Sequence, residues 1–349
     1  MSTDELPAEL AGVTNRKLVL RRRPVGLVQP DDIELVSEPL PVPGPGEALV
    51  KVGWLGIDAS VRTWLSKGEG YLPPVEIGEV VRCSGIGRVV ASASDRLPVG
   101  SMAYSLPGWA EYAILADDPM LTTPMPDGVE LRSMISLYGS VGATAWMGIV
   151  DVAQVKAGET VVVSAAAGAT GSIAAQIAKH LGARVVGICG TDEKCRWLTE
   201  DLGLDAAINH RTADLRTALK ETCPNRVDVY FDNVGGPILD AVLGRLARGA
   251  RVALCGAIST YNDEHAPPGP ANYTKLITAR ARMEGFLSID IVPRFPEIAM
   301  ELAALVDAGH LQHREQIYEG LDQAATALNA MFTGDNIGKI LIRVDPDAT

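Results

Sequence analysis

The segment Thr160–Lys194 constrains the fold more than any other part of the chain. It opens with Thr160-Val-Val-Val-Ser164, a short valine-rich run of the kind buried on both faces of a parallel sheet. A turn of small residues follows, Ala165-Ala-Ala-Gly168-Ala-Thr-Gly171. Beyond it Ile173, Ala174, Ile177, Ala178 and Leu181 recur at helical spacing until Gly182 ends the pattern, and Val185, Val186 and Ile188 make a second strand. Strand, glycine turn, helix, strand is the first unit of a dinucleotide-binding α/β fold. Glycine matters at such a turn because a pyrophosphate must reach backbone N–H groups at the helix N-terminus, and a Cβ would hold it off.

The turn is an incomplete G-x-G-x-x-G pattern, since Ala166 stands where the first glycine would be. The end of the second strand is more telling. An NAD-binding chain places Asp or Glu there for the ribose 2′-hydroxyl. Here the place holds Gly190 and Thr191, with Lys194 shortly after, while Asp192 and Glu193 fall in the first turn of the next helix, where the helix dipole favours acids. A charge-assisted hydrogen bond to a 2′-phosphate contributes about 1.5–3 kcal/mol, roughly tenfold to a hundredfold in affinity. The residues therefore select NADP(H) over NAD(H).

At 349 residues the chain is long for one domain, and two are expected. Its net charge of −12 argues against a nucleic-acid partner but leaves room for a local cationic pocket. The acidic N-terminus lacks the apolar core of a signal peptide, and no apolar run approaches the ~20 residues of a membrane span, so no membrane partner is expected. Five cysteines, Cys83, Cys189, Cys195, Cys223 and Cys255, are odd in number and unpaired in spacing, which fits a cytoplasmic location.

Before the glycine turn, short apolar runs punctuated by Gly and Pro predict an irregular β domain: Leu18–Leu20, Ile33–Val36, Ala48–Val52, Gly85–Val90, Met102–Tyr104 and Trp109–Ile114. From near Leu137 the pattern alternates between strand and helix. Strands are expected at Val227–Phe231 and Arg251–Cys255, and helices near Glu193–Leu202, Pro237–Leu246 and Phe295–Ala308. A tail helix near Leu321–Phe332 and a last strand Lys339–Val344 return to the first domain. The expected division is a β-rich domain of residues 1–140 and 308–349 around a nucleotide-binding domain of residues 141–307.

Several segments together carry a family resemblance: Pro73-Pro-Val-Glu-Ile-Gly78-Glu, the Ala165–Gly171 turn, Thr191-Asp-Glu-Lys194, Tyr230-Phe-Asp-Asn233-Val-Gly-Gly236, Cys255-Gly-Ala-Ile-Ser-Thr-Tyr261-Asn262, Arg282-Met-Glu-Gly-Phe286 and Gly334-Asp-Asn336-Ile-Gly-Lys339. From about residue 17 onward the chain resembles the zinc-independent medium-chain reductases, in the branch of prostaglandin reductases and alkenal double-bond reductases. The resemblance implies a GroES-like catalytic domain plus a Rossmann domain with a doubly wound parallel sheet, and NADP(H) in the cleft between them. It implies reduction of the C=C bond of α,β-unsaturated ketones and aldehydes, 15-keto lipids among them, with hydride passing to the β-carbon and a proton to the enolate. Gly168, Ala169, Thr170 and Gly171 would lie under the pyrophosphate, and Gly190, Thr191 and Lys194 at the 2′-phosphate. Asn233, Cys255, Gly256, Ile258, Ser259, Phe286 and Leu287 would line the nicotinamide half, and Asn336 would close over the cofactor from the other domain.

Tyr261 is the candidate hydrogen-bond donor to the substrate carbonyl, or else a wall of the nicotinamide pocket. His210 stands where close relatives carry a tyrosine near the 2′-phosphate and, with Arg211, either substitutes for it or forms a solvated loop pair. Arg62, Tyr71, Tyr104 and Trp109 are either substrate contacts or ordinary surface and core residues. Thr278 stands where the family has a tyrosine, which leaves substrate preference open, and Ser140 stands where animal relatives have a methionine near the nicotinamide. Cys83 and Cys255 read as small core residues. Zinc-dependent relatives carry Gly-His-Glu where this chain has Ile77-Gly78-Glu79, and the five histidines are ungrouped, so no metal is expected. Conjugate reduction suits such a site, because hydrogen-bond donors can hold a delocalised enolate. An NADPH:quinone reductase and a non-catalytic NADPH-binding protein are the alternatives. Edge-strand pairing makes a homodimer the default assembly.

Overall fold

The computed structural model describes residues 6–68, 70–125, 130–265 and 267–348. The chain forms two compact units. The first comprises Met1–Ile135, Glu315–Asp335 and Ile340–Thr349, and the second Ser136–Arg314 and Asn336–Lys339. The tail was expected to rejoin the first domain from residue 308 onward. Instead the second unit runs on to Arg314, and Asn336–Lys339 comes back to it. The reason is a backbone contact: the Gly338 N–H donates to the Ala167 carbonyl at 2.8 Å, and Gly338 pairs in parallel with Gly168 of the glycine turn.

The second unit is built on a six-stranded, all-parallel sheet. Its spatial order is Ala206–Asn209, Arg184–Cys189, Thr160–Ser164, Val227–Asp232, Leu246–Leu254 and Arg282–Gly285. The chain order reverses between Thr160–Ser164 and Val227–Asp232, so the crevice for a ligand lies at the carboxyl ends of those two strands. Val161, Val162 and Val163 are all fully buried, as the valine run predicts. Successive side chains alternate faces. Val161 and Val163 pack with Ile173 and Ile177 of the helix Ala169–His180, and Val162 joins Val186 and Tyr230 in a separate core.

Two boundaries differ from expectation. The helix expected at 237–246 ends at Leu243, and the strand expected from Arg251 begins at Leu246, reaching Arg251 through a register shift. The helical stretch Leu131–Val152 spans 22 residues and contains an 18-residue window of mean hydropathy 1.2, long and apolar enough to cross a membrane. Small residues dilute its apolarity, so no continuous apolar run marks it in the sequence. In this fold Val141, Ala143, Ala145, Ile149 and Val152 are buried in the core of the second unit. Gly148 permits that seat, since a Cβ there would fall 2.3 Å from the Phe231 ring.

The first unit is β-rich. Thr14–Leu20 pairs antiparallel with Ile33–Pro39. A seven-stranded sheet runs Glu315–Glu319, Lys339–Arg343, Glu47–Ile57, Ser84–Ser92, Met102–Ser105 and Thr123–Pro124, with Tyr112–Ala116 also on Glu47–Ile57. The strand expected from Trp109 therefore starts at Tyr112. The expected tail helix is a single turn at Leu321–Gln323 followed by Ala324–Thr333.

Candidate cofactor and active site

The glycine turn sits at the carboxyl end of Thr160–Ser164. Gly168 caps the helix Ala169–His180: its N–H donates to Ala165 O at 2.9 Å and its carbonyl accepts from Ser172 N at 3.0 Å. Gly171 must be glycine, because a Cβ there would lie 2.4 Å from the Ala165 carbonyl oxygen. Gly168, Ala169 and Thr170 remain partly exposed at the helix start, where N–H groups are open to an anion. Ala166, at the place of the missing first glycine, is fully buried, so its methyl packs in the core. The left-handed residue is its neighbour Ala165, with φ +45°.

At the tip of Arg184–Cys189, the bare backbone of Gly190 faces two basic side chains. A Cβ on Gly190 would lie 3.3 Å from Arg211 Nε and 3.5 Å from His210 Nε2. Thr191 is the N-cap of the helix Asp192–Arg196; its Oγ1 accepts from Lys194 N at 3.2 Å, which fixes the turn carrying Lys194. Asp192 Oδ1 accepts from Asn209 Nδ2 at 2.7 Å. Burial, then the neighbouring Arg211 and Lys194 charges, hold the His210 pKa below the usual histidine value. Arginine and imidazole thus approach a position kept free of any side chain, and the Lys194 charge reaches the same imidazole, an arrangement that fits a phosphate. His210 belongs to this cluster together with Arg211.

Of the residues expected at the nicotinamide half, Asn233 and those from Cys255 to Ser259 lie on two loops that are stitched together. Asn233 Nδ2 donates to Ser164 O at 2.7 Å, and Asn233 O accepts from Ile258 N at 3.1 Å. Ser259 Oγ donates to Val234 O at 2.6 Å, while Cys255 N and Gly256 N donate to Asp232 O at 2.8 and 3.1 Å. The Tyr261 hydroxyl folds back onto its own turn and accepts from Ala257 N at 3.0 Å. A hydroxyl that accepts one bond keeps its proton to donate. Burial raises the Tyr261 pKa, so that proton stays on oxygen at neutral pH. Phe286 packs edge-on against Phe231, with ring centroids 6.1 Å apart, and Leu287 is 37% exposed beside it.

Asp232 was overlooked as a separate residue. It is fully buried, and its Oδ1 accepts from Ser164 Oγ, Tyr230 Oη, Val234 N and Gly235 N at 2.7–3.0 Å. Its Oδ2 is buried with no hydrogen-bond partner among the described residues. A carboxylate closing the strand after the apolar run Val229-Tyr-Phe231 was the available signal. Gly235 and Gly236 follow it with φ of +71° and +54°, so the turn Asp232 holds depends on left-handed glycines.

Asn336 is buried in the second unit, with Nδ2 donating to Gly338 O at 3.4 Å; the contact between Gly338 and Ala167 seats that segment beside the glycine turn. The substrate candidates of the first unit divide. Arg62 is 2% exposed and its guanidinium donates to Pro24 O, Gly26 O and Ser66 Oγ, so it clamps the chain rather than lining a pocket. Trp109 is fully buried in the core and is likewise no pocket wall. Tyr71 is 44% exposed, edge-on to Trp64 at 6.1 Å, and Tyr104 is half-buried on its strand. Thr278 is exposed, its hydroxyl donating to Lys275 O at 3.1 Å. Cys83 is fully buried, as expected of a core residue.

Residues 16–123 match the family model described as the N-terminal domain of oxidoreductase, and residues 169–304 match the one described as zinc-binding dehydrogenase. The residues do not fit zinc: among those described, no three His, Cys, Asp or Glu side chains gather. The chain is 37% identical over 95% of its length to a 2-alkenal reductase (NADP(+)-dependent) of Nicotiana tabacum, covering 98% of that protein. It is 36% identical to the NADPH-dependent curcumin reductase of Escherichia coli (strain K12), over 95% of this chain and 98% of the other. The crystal structure of CurA from Vibrio vulnificus in complex with NADPH superposes with a TM-score of 0.89 at 35% identity, over 95% of this chain and 99% of that one.

Proposed function

Because the chain belongs to the medium-chain dehydrogenase/reductase family, we propose that it reduces the C=C bond of α,β-unsaturated ketones and aldehydes with NADPH. It is an oxidoreductase that uses NADP(H) for double-bond reduction; enones and enals, 15-keto lipids among them, are the acceptors we assign. The observation that carries the reading is the approach of Arg211 and His210 to the bare Gly190 backbone, with the Lys194 charge acting on the same imidazole. When bound, the cofactor supplies a hydride. Lys194 and Arg211 hold the adenosine phosphate, and Gly168–Gly171 present backbone N–H groups to the pyrophosphate. Asn233, Ser259 and the turn anchored by Asp232 hold the nicotinamide half. Tyr261 donates its hydroxyl proton in a hydrogen bond to the substrate carbonyl oxygen, which stabilises the enolate as charge develops there. Its anchor on Ala257 N supports that role, because the oxygen is fixed and the hydrogen is free to be given. Tyr71, exposed in the first unit, remains our candidate for substrate contact. The exposed edge strand Arg282–Gly285 supports a homodimer formed by strand pairing.

The test is NADPH consumption measured over enals, medium-chain enones, 15-keto lipids and benzoquinones, with Tyr261→Phe run in parallel. Turnover of enones well above that of quinones, reduced in Tyr261→Phe, is the expected result. Faster quinone turnover overturns the acceptor assignment. Unchanged enone turnover in Tyr261→Phe removes the tyrosine from the chemistry.

A further inference from the structure

Cys189 and Cys195 are six positions apart and looked unpaired in the sequence, yet their Sγ atoms lie 3.2 Å from each other. Cys189 ends the strand Arg184–Cys189 and is 4% exposed; Cys195 lies in the helix Asp192–Arg196 and is partly exposed. A disulfide needs the two sulfurs at about 2.05 Å, so roughly an ångström of approach suffices. Gly190, Thr191 and Lys194, which we place at the 2′-phosphate, fall between the two cysteines in sequence.

We propose that Cys189 and Cys195 form a dithiol that small-molecule disulfides oxidise to an intramolecular disulfide, and that this bond weakens NADP(H) binding at the 2′-phosphate. The second half rests on the cofactor placement proposed above. The chemistry proceeds by exchange. The Cys195 thiolate, the accessible one, attacks one sulfur of oxidised glutathione, forming a mixed disulfide and releasing a first glutathione thiolate. Cys189 then loses its proton and attacks the Cys195 sulfur, forming the internal disulfide and expelling a second glutathione thiolate, which takes up that proton. Two protein thiols are oxidised and one glutathione disulfide is reduced to two thiols. Burial raises both cysteine pKa values, that of Cys189 to about 12, so little thiolate is present at neutral pH and the exchange is slow. Closing the bond draws the first turn of Asp192–Arg196 toward the strand end. The bond from Lys194 N to Thr191 Oγ1, which sets the direction of Lys194, lies within that turn.

The experiment equilibrates the full-length protein in glutathione buffers of graded redox ratio, alkylates the remaining thiols, and maps peptides by mass spectrometry. A Cys189–Cys195 cross-link, lost in Cys189→Ser and Cys195→Ser, is expected; its absence across the series overturns the proposal. By reciprocity, a ligand whose affinity falls tenfold on oxidation shifts the redox midpoint by about 30 mV toward more oxidising potentials. Saturating NADP+ is expected to produce that shift and NAD+ none. A cross-link whose midpoint ignores NADP+ overturns the coupling if Lys194→Ala weakens NADP+ binding. If Lys194→Ala is also without effect, the cofactor placement itself fails.

Discussion

Replacing Lys194 by Ala tests the interaction to which we assign cofactor choice. A charge-assisted hydrogen bond to a phosphate is worth about 1.5–3 kcal/mol. The lower end applies here, because Arg211 and His210 stay close to Gly190 after the lysine is gone. About 1.5 kcal/mol corresponds to roughly a tenfold rise in the NADPH dissociation constant. NADH, which lacks the 2′-phosphate, should change by less than about twofold under the same arithmetic. Titration calorimetry of both dinucleotides against both proteins measures this directly. Removing Arg211 as well should cost NADPH about as much again, less any coupling between the two cations across one phosphate. Equal losses for NADPH and NADH in Lys194→Ala would refute the reasoning, because the lysine would then act on something the two cofactors share.

Ala165 occupies a left-handed conformation that costs an L-residue about 1–2 kcal/mol, while glycine carries about 0.5–1 kcal/mol of extra entropy cost. Ala165→Gly should therefore raise the melting temperature by about 1–2 °C, and calorimetry showing a fall contradicts that balance. A Cβ at Gly256 would sit 2.9 Å from the Tyr261 hydroxyl, so Gly256→Ala should lower turnover in the manner of Tyr261→Phe. The double variant should be little worse than either single one, and kinetic additivity would show that the two act separately. The His210 pKa lies below its unfolded value near 6.5, so the unfolded chain takes up a proton first as pH falls. Stability is unaffected above about pH 6.5 and declines as pH drops through the lower folded value. His210→Gln should lose less melting temperature than the wild type between about pH 8 and about pH 5 in cofactor-free protein.

The parallel sheet was legible because hydrophobic periodicity and glycine punctuation are local signals. The run from Val161 to Val163 and the spacing from Ile173 to Leu181 carry their own structural instructions. The absence of an acid at the tip of Arg184–Cys189 was legible for a similar reason, since it is visible in the chain itself, whereas the approach of Arg211 and His210 to Gly190 needed the fold. Arg62 and Trp109 were not legible, because whether a polar or aromatic side chain faces a pocket or the interior depends on long-range packing. Arg62 meets the carbonyls of Pro24 and Gly26 across some three dozen residues, which no spacing rule anticipates. The approach of Cys189 and Cys195 was hidden too, since a strand-to-helix turn brings together residues that a linear count keeps apart. Asp232 was quoted within a motif, but its role as a four-donor anchor emerged only with the turn it organises.

The return of Asn336–Lys339 to the glycine turn bears on any attempt to use this nucleotide-binding module as a transferable part. Cutting the gene at codons 136 and 314 would excise the whole parallel sheet yet leave behind the Gly338 N–H that meets the Ala167 carbonyl. A chimera assembled from such a fragment would have an open backbone acceptor in its glycine turn, unless the graft also carried a copy of this four-residue strap.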